Sequence, residues 1–169
     1  RIGGIGVSGG SAEQDEAWQD YEEHPCTYHL RVWWQDADPQ QQQQRQALIE
    51  QHAREHRLLA EAVEMAFTVG NTGLAATLMI AQDKTLDGLQ YSALLEWLED
   101  FSEAGQWLAA VLCYRLIIDG ILDGGQSRLY PNGAACLREE QQLASRIKNY
   151  QHHANSREYL QRLKKQHGR

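Results

Sequence analysis

Proline is scarce in this sequence, three residues in 169, and long apolar runs are missing altogether. So few prolines, against fourteen glycines, exclude a collagen-like or proline-rich chain. The longest apolar stretches, Leu74–Ala81 and Leu116–Leu122, fall far short of the roughly 18 residues that a membrane-spanning helix requires. No apolar leader follows Arg1, so a secretory signal is expected to be absent or to lie outside these residues. Cysteine is also sparse: Cys26, Cys113 and Cys136 form an odd set without a C-x-x-C pair. Cys113 and Cys136 sit among apolar residues and read as small core hydrophobes, which fits reduced thiols and a cytoplasmic location. What remains is ordinary globular composition, 42% hydrophobic and 23% charged, in a length suited to one domain.

Charge is distributed unevenly. Residues 1–125 carry 7 Lys/Arg against 20 Asp/Glu, and residues 126–169 carry 9 against 3. The acidic body argues against nonspecific nucleic-acid binding, and the basic end suits an acidic partner or neighbouring repeats of its own chain.

The text changes character near Asp38. Residues 1–37 hold a glycine-rich stretch and three of the five tryptophans, without a sustained helical stripe. They are read as a separate, non-helical or short-strand segment, removable from the fold. From 38 to 169 the pattern is helical. Asp38-Pro39 is a helix start, with Asp as N-cap and Pro in the first turn. Leu48, His52, His56, Leu59, Val63 and Ala66 recur every three or four residues, which predicts one long amphipathic helix stopped at Gly70-Asn71. Further helices are predicted over Leu74–Gln82, from Leu86 or Leu89 to Ala104, and over Gln106–Asp123, Tyr130–Tyr150 and Arg157–Gln166. Gly105, Gly124-Gly125 and Gly168 are read as their stops, and Asn155 or Ser156 as the last cap. Helices of this length with short connections pack as antiparallel neighbours. In the hairpin of the fourth and fifth, Leu112, Leu116 and Ile121 are expected to face Ala134, Leu137 and Leu143. The predicted class is all-α, with helical hairpins stacked as a short tetratricopeptide-like solenoid.

Few residue patterns point to chemistry. Gly4-x-Gly6-x-x-Gly9 matches a dinucleotide fingerprint by letter, but only Arg1–Gly3 precedes it and no βαβ unit follows. His24, Cys26 and His29 offer three ligands within six residues, where structural zinc takes four. His52 and His56, four apart on one helix, are the candidates for the missing position, although Ala53-Arg54-Glu55 lacks the order of a zinc protease. These five remain weak metal candidates, and neither a metal nor any other cofactor is expected. No nucleophile elbow or acid pair has the spacing of an active site, so catalytic residues are not assigned. The adjacent pairs Glu99-Asp100 and Glu139-Glu140 read as solvated surface. Tyr159, Leu160 and Leu163 share one side of the basic last helix, which suits docking of that helix better than stacking on nucleic acid.

Two stretches carry a family resemblance. Ile2–Gly10, followed by Glu13-Gln14-Asp15-Glu16, resembles the last strand, glycine turn and final-helix start of the GlcG/HbpS/PduO-like haem- or corrinoid-associated family. That resemblance implies a fusion or gene-boundary remnant, and as an alternative function a haem- or metal-binding role. Leu108–Leu122, Ser127-Arg128-Leu129-Tyr130, Ala134-Ala135-Cys136-Leu137 and Arg162–Arg169 resemble an uncharacterised bacterial helical family, the domain of unknown function six-eight-eight-zero. Asn132 stands where that family has a histidine before the alanines. The second resemblance implies a tetratricopeptide-like fold and no particular activity. The function expected on these grounds is a non-enzymatic interaction module with a protein partner, no membrane and no nucleic acid.

Overall fold

The computed structural model describes residues 2–123 and 130–167, with side chains over 11–123 and 134–167. Among these residues the chain is all-α. Nine helices follow in order: α1 (Ile2–Glu23), α2 (Thr27–Trp34), α3 (Pro39–Glu55), α4 (Leu59–Thr68), α5 (Thr72–Ala81), α6 (Tyr91–Glu103), α7 (Trp107–Asp123), α8 (Tyr130–Ala144) and α9 (Ser156–His167). They fall into two compact units that divide between Gly88 and Leu89.

In the first unit α1 packs on α2, α2 and α3 on α4, and α4 on α5. The non-helical reading of residues 1–37 is corrected here, since α1 and α2 are both helices. Trp18 and Tyr21, three residues apart on α1, turn the same face inward and are almost wholly buried. They meet α2 through Trp33, whose ring lies 4.7 Å from that of Trp18. Thr27, Leu30 and Trp33 form the matching stripe on α2. The short strand expected within Ile2–Gly10 is instead the first part of α1. The Asp38 boundary falls inside this unit and marks the start of α3, where the Asp38 side chain accepts from Gln41 N at 2.9 Å.

The single long helix expected from Pro39 to Gly70 is two. His56 is extended (φ −67°, ψ 132°), and its Nδ1 accepts the N–H of Leu58. The segment after α5 holds the break open: Thr85 pairs with Leu58 through Thr85 N to Arg57 O (3.0 Å) and Leu59 N to Thr85 O (2.9 Å). Lys84 Nζ donates to the carbonyls of Arg54 (2.6 Å) and His56, satisfying the acceptors that end α3. The inward face of α3 is Ile49 and Ala53, whereas Leu48 is exposed. Gly70 closes α4 at φ +78°. Asn71 then caps α5 through Leu74 N and donates to Glu50 on α3 at 2.8 Å.

In the second unit α6 packs on α7, α7 on α8, and α9 on α8. Leu94, Trp97, Leu98 and Phe101 are the buried side of α6. Ten residues of α7 are buried, among them Val111, Leu112, Ile117, Ile118 and one arginine, Arg115. Arg115 on α7 pairs with Glu140 on α8, and Leu137 of α8 packs against the cluster of Ile118, Tyr159 and Leu163. The α7–α8 contact face differs from the expected one. Ala134 is exposed and Leu116 only half-buried. The Gly124-Gly125 stop, the link residues 127–129 and Gly168 lie outside the described residues. Asn155 is the cap of α9: its side chain accepts from Glu158 N and its own N–H donates to Glu158, both at 2.9 Å.

Candidate functional site

Two polar assemblies combine burial with chemistry, one in each unit. In the second unit Arg115 rises from the middle of the apolar α7. Its Nε donates to Glu140 Oε2 at 2.8 Å and its Nη1 to the Ala154 carbonyl at 2.7 Å. Arg115 is 6% exposed at the side chain and Glu140 is 0% exposed, so neither is within reach of a substrate in solution. Ser156 Oγ, in the first turn of α9, donates to the second carboxylate oxygen of Glu140 at 2.7 Å. Tyr159 lies under the Arg115 guanidinium, 4.7 Å from ring centre to Cζ, with Arg162 also over the ring at 5.0 Å. Its hydroxyl donates to Asp119 Oδ1 (2.9 Å) and lies 3.2 Å from the Arg115 carbonyl. Burial, with the adjacent Asp119 carboxylate, pushes the Tyr159 hydroxyl well above the usual phenol range. Burial also raises the Asp119 carboxyl, partly offset by the Tyr159 hydrogen bond and Arg162. Arg115 Nη2 has no acceptor among the described residues.

Such a set, with both full charges buried and mutually bonded, fastens three elements together. Leu163 completes the fastening by packing with Tyr159 on Ile118. Sequence reasoning missed Arg115 and Glu140. The available signal was an arginine within an otherwise apolar helix. Glu139 and Glu140 look alike as letters, yet Glu139 is exposed and takes the Tyr114 hydroxyl at 2.6 Å, while Glu140 is buried. The solvated reading is thus corrected for Glu140; Glu99 and Asp100 are exposed. The docking role read for Tyr159 and Leu163 matches their burial.

The first unit holds the sequence's metal candidates, and the structure distributes them. His24 is exposed, Cys26 and His29 are half-buried, and the His24 and His29 rings face each other at 6.4 Å. His52 Nδ1 lies 2.8 Å from the Tyr21 hydroxyl, whose own ionisation is raised by burial. His56 supports the break between α3 and α4, and burial lowers its imidazole below the usual range. His52 and His56 border one open cavity of about 250 Å³ with Pro25, Glu55 and Arg57. Among the described residues no group of three or more His, Cys, Asp or Glu is placed to hold a metal ion. The glycines of the dinucleotide-like pattern lie in α1, without a strand before them among the described residues.

No helix among the described residues is long and apolar enough to cross a membrane. The chain matches the model of a family of unknown function, DUF6880, over residues 9–169. No curated protein and no solved structure matches it. The family match corrects two expectations. It is not confined to the C-terminal half, and it takes in most of the N-terminal stretch that had been likened to the GlcG-type proteins, a likeness the comparisons do not support. With nearly its whole length under one family model, the chain belongs to the DUF6880 family.

Proposed function

We propose that this chain is a non-enzymatic protein-interaction module, built of helix pairs that stack as a short tetratricopeptide-like solenoid. The observation that carries this reading is the outer side of α6. Leu94, Trp97, Leu98 and Phe101 fill the core, while Tyr91 and Leu95, one turn apart, remain 50% and 43% exposed. Large apolar side chains at i and i+4 are the spacing by which one helix meets another. The buried charges, in contrast, are spent on fastening α7, α8 and α9. The partner in this reading is a protein presenting an apolar helical stripe. The free thiols of Cys26, Cys113 and Cys136 support a reducing compartment, the cytoplasm, as the place of action.

A photo-crosslinking residue at Leu95 tests the reading in cells. A discrete protein adduct that Tyr91→Ser abolishes is expected. Absence of any adduct, or an adduct indifferent to Tyr91→Ser, would overturn it.

A further inference from the structure

We infer that the acidic groove formed by α1, α2 and the start of α3 docks the basic helix α9 of a second copy of this chain. The inference goes beyond the interaction-module reading, whose contact surface is α6, and concerns a second surface of the chain. The groove encloses about 620 Å³. Ala17 and Val32 give it an apolar floor, and Glu13, Asp15, Asp36 and Asp38 stand around it. Asp38 is engaged by the start of α3. Glu13, Asp15 and Asp36 are exposed and enter no ion pair among the described residues. The surrounding charge has one sign: from Glu13 to Glu23, α1 carries six carboxylates and no Lys or Arg.

Within the same unit the aromatic core already stacks a cation. Trp18 and Trp33 directly follow Ala17 and Val32 in the chain, and their rings already hold a cation. The Arg45 guanidinium lies 4.2 Å from Trp18 and 5.2 Å from Trp33, with no carboxylate partner among the described residues.

The complement is α9. Its inward face is used up by Tyr159 and Leu163. Arg157, Lys164 and Lys165 point outward, exposed and without an ion pair among the described residues. Docking therefore needs no rearrangement of the second unit. A twelve-residue helix runs about 18 Å, long enough to lay lysine stems on Ala17 and Val32 while the ammonium groups reach the carboxylates. The charge asymmetry has the same sense at larger scale. Residues 1–88 hold 6 Lys/Arg against 14 Asp/Glu, and residues 126–169 hold 9 against 3. Groove and helix are different surfaces, so the contact is head-to-tail and propagates into rings or short chains.

Sedimentation velocity on the purified chain over a concentration series tests this. Concentration-dependent association that weakens in high salt is expected, because exposed pairs are screened within a few ångströms at molar ionic strength. Lys164→Glu/Lys165→Glu and, separately, Asp15→Lys/Asp36→Lys should each weaken association by about tenfold or more, with helical content unchanged by circular dichroism. Mixing the two variants should restore it, since each then supplies the surface the other needs. A monomer at every concentration, association indifferent to both reversals, or no recovery on mixing would overturn the inference. A Leu95 adduct to another protein, found while the unaltered chain stays monomeric at every concentration, would sink the self-docking alone and leave the interaction-module reading standing.

Discussion

Arg115 Nε stands 2.8 Å from Glu140 Oε2 with both side chains buried, and this pair joins α7 to α8 beneath α9. Removing one charge strands the other in a low-dielectric interior, which costs about 3–5 kcal/mol. Replacing both with apolar groups removes that penalty. Arg115→Met and Glu140→Leu should therefore each destabilise strongly in urea unfolding. The double variant should recover most of the loss. Additive losses in the double variant would show that the pair is not the coupled unit described here.

Asp119 makes the stability of the same assembly depend on pH. Burial raises its folded carboxyl above its unfolded value, so its contribution is complete below the unfolded value, near 3.9, and is lost as pH rises through the folded one. Asp119→Asn keeps an acceptor for Tyr159 and removes the charge. The variant should exceed the parent in stability at pH 7, and the difference should shrink as pH falls towards 4. A difference that stays constant over that range would contradict a raised Asp119.

How much of this was legible depends on where the determining partner sits. Asp38-Pro39 starts α3 and Gly105 follows α6 for local reasons, and both were readable as letters. Helices α6, α7 and α9 fall close to their predicted ranges because their apolar spacing is strong. The break at His56 was not readable, since Glu55-His56-Arg57 is compatible with a helix and the deciding contacts come from Lys84 and Thr85. Helix α1 was hidden for a related reason: its leading glycines disfavour a helix, and its anchor is Trp18 and Tyr21 against α2 and α3. The site followed the same rule. Five His and Cys candidates drew attention by residue type, whereas Arg115 and Glu140 are set by a tertiary contact 25 positions apart.

The packing of Trp18 and Tyr21 makes a prediction opposite to separability of residues 1–37. Trp18 is 8% exposed and touches both Tyr21 and Trp33. Trp18→Ala should cost about 3–5 kcal/mol, the range for emptying a buried aromatic site. A change below about 0.5 kcal/mol in denaturant unfolding would return α1 to the status of a removable segment.

Two glycines should respond to alanine with opposite signs. An added Cβ meets nothing within 4 Å at either Gly105 or Gly120, so packing drops out of the comparison. Gly105 ends α6 at φ +73°, where alanine is strained, and Gly105→Ala should destabilise by about 1 kcal/mol. Gly120 lies inside α7, where alanine is the better helix former, and Gly120→Ala should stabilise by about 0.5–1 kcal/mol. Thermal melts of the two single variants check both signs together.

Lys84 should govern the end of α3 from a distance. Its ammonium group is bonded to the Arg54 and His56 carbonyls, 30 and 28 positions back in the chain, and it also complements the negative end of the helix dipole. Hydrogen bonds to a charged group contribute about 1.5–3 kcal/mol. Half-exposure of this site places Lys84→Met near the lower end of that range. The effect should be local as well as global. Loss of the ammonium group frees the segment around Thr85, so hydrogen exchange should accelerate at the Leu59 and Thr85 amides, which bridge the break, before it does at buried Ile49 or Ala53. Unchanged exchange at Leu59 and Thr85 would mean that the break between α3 and α4 is held by His56 and its own neighbours, and that Lys84 merely covers it.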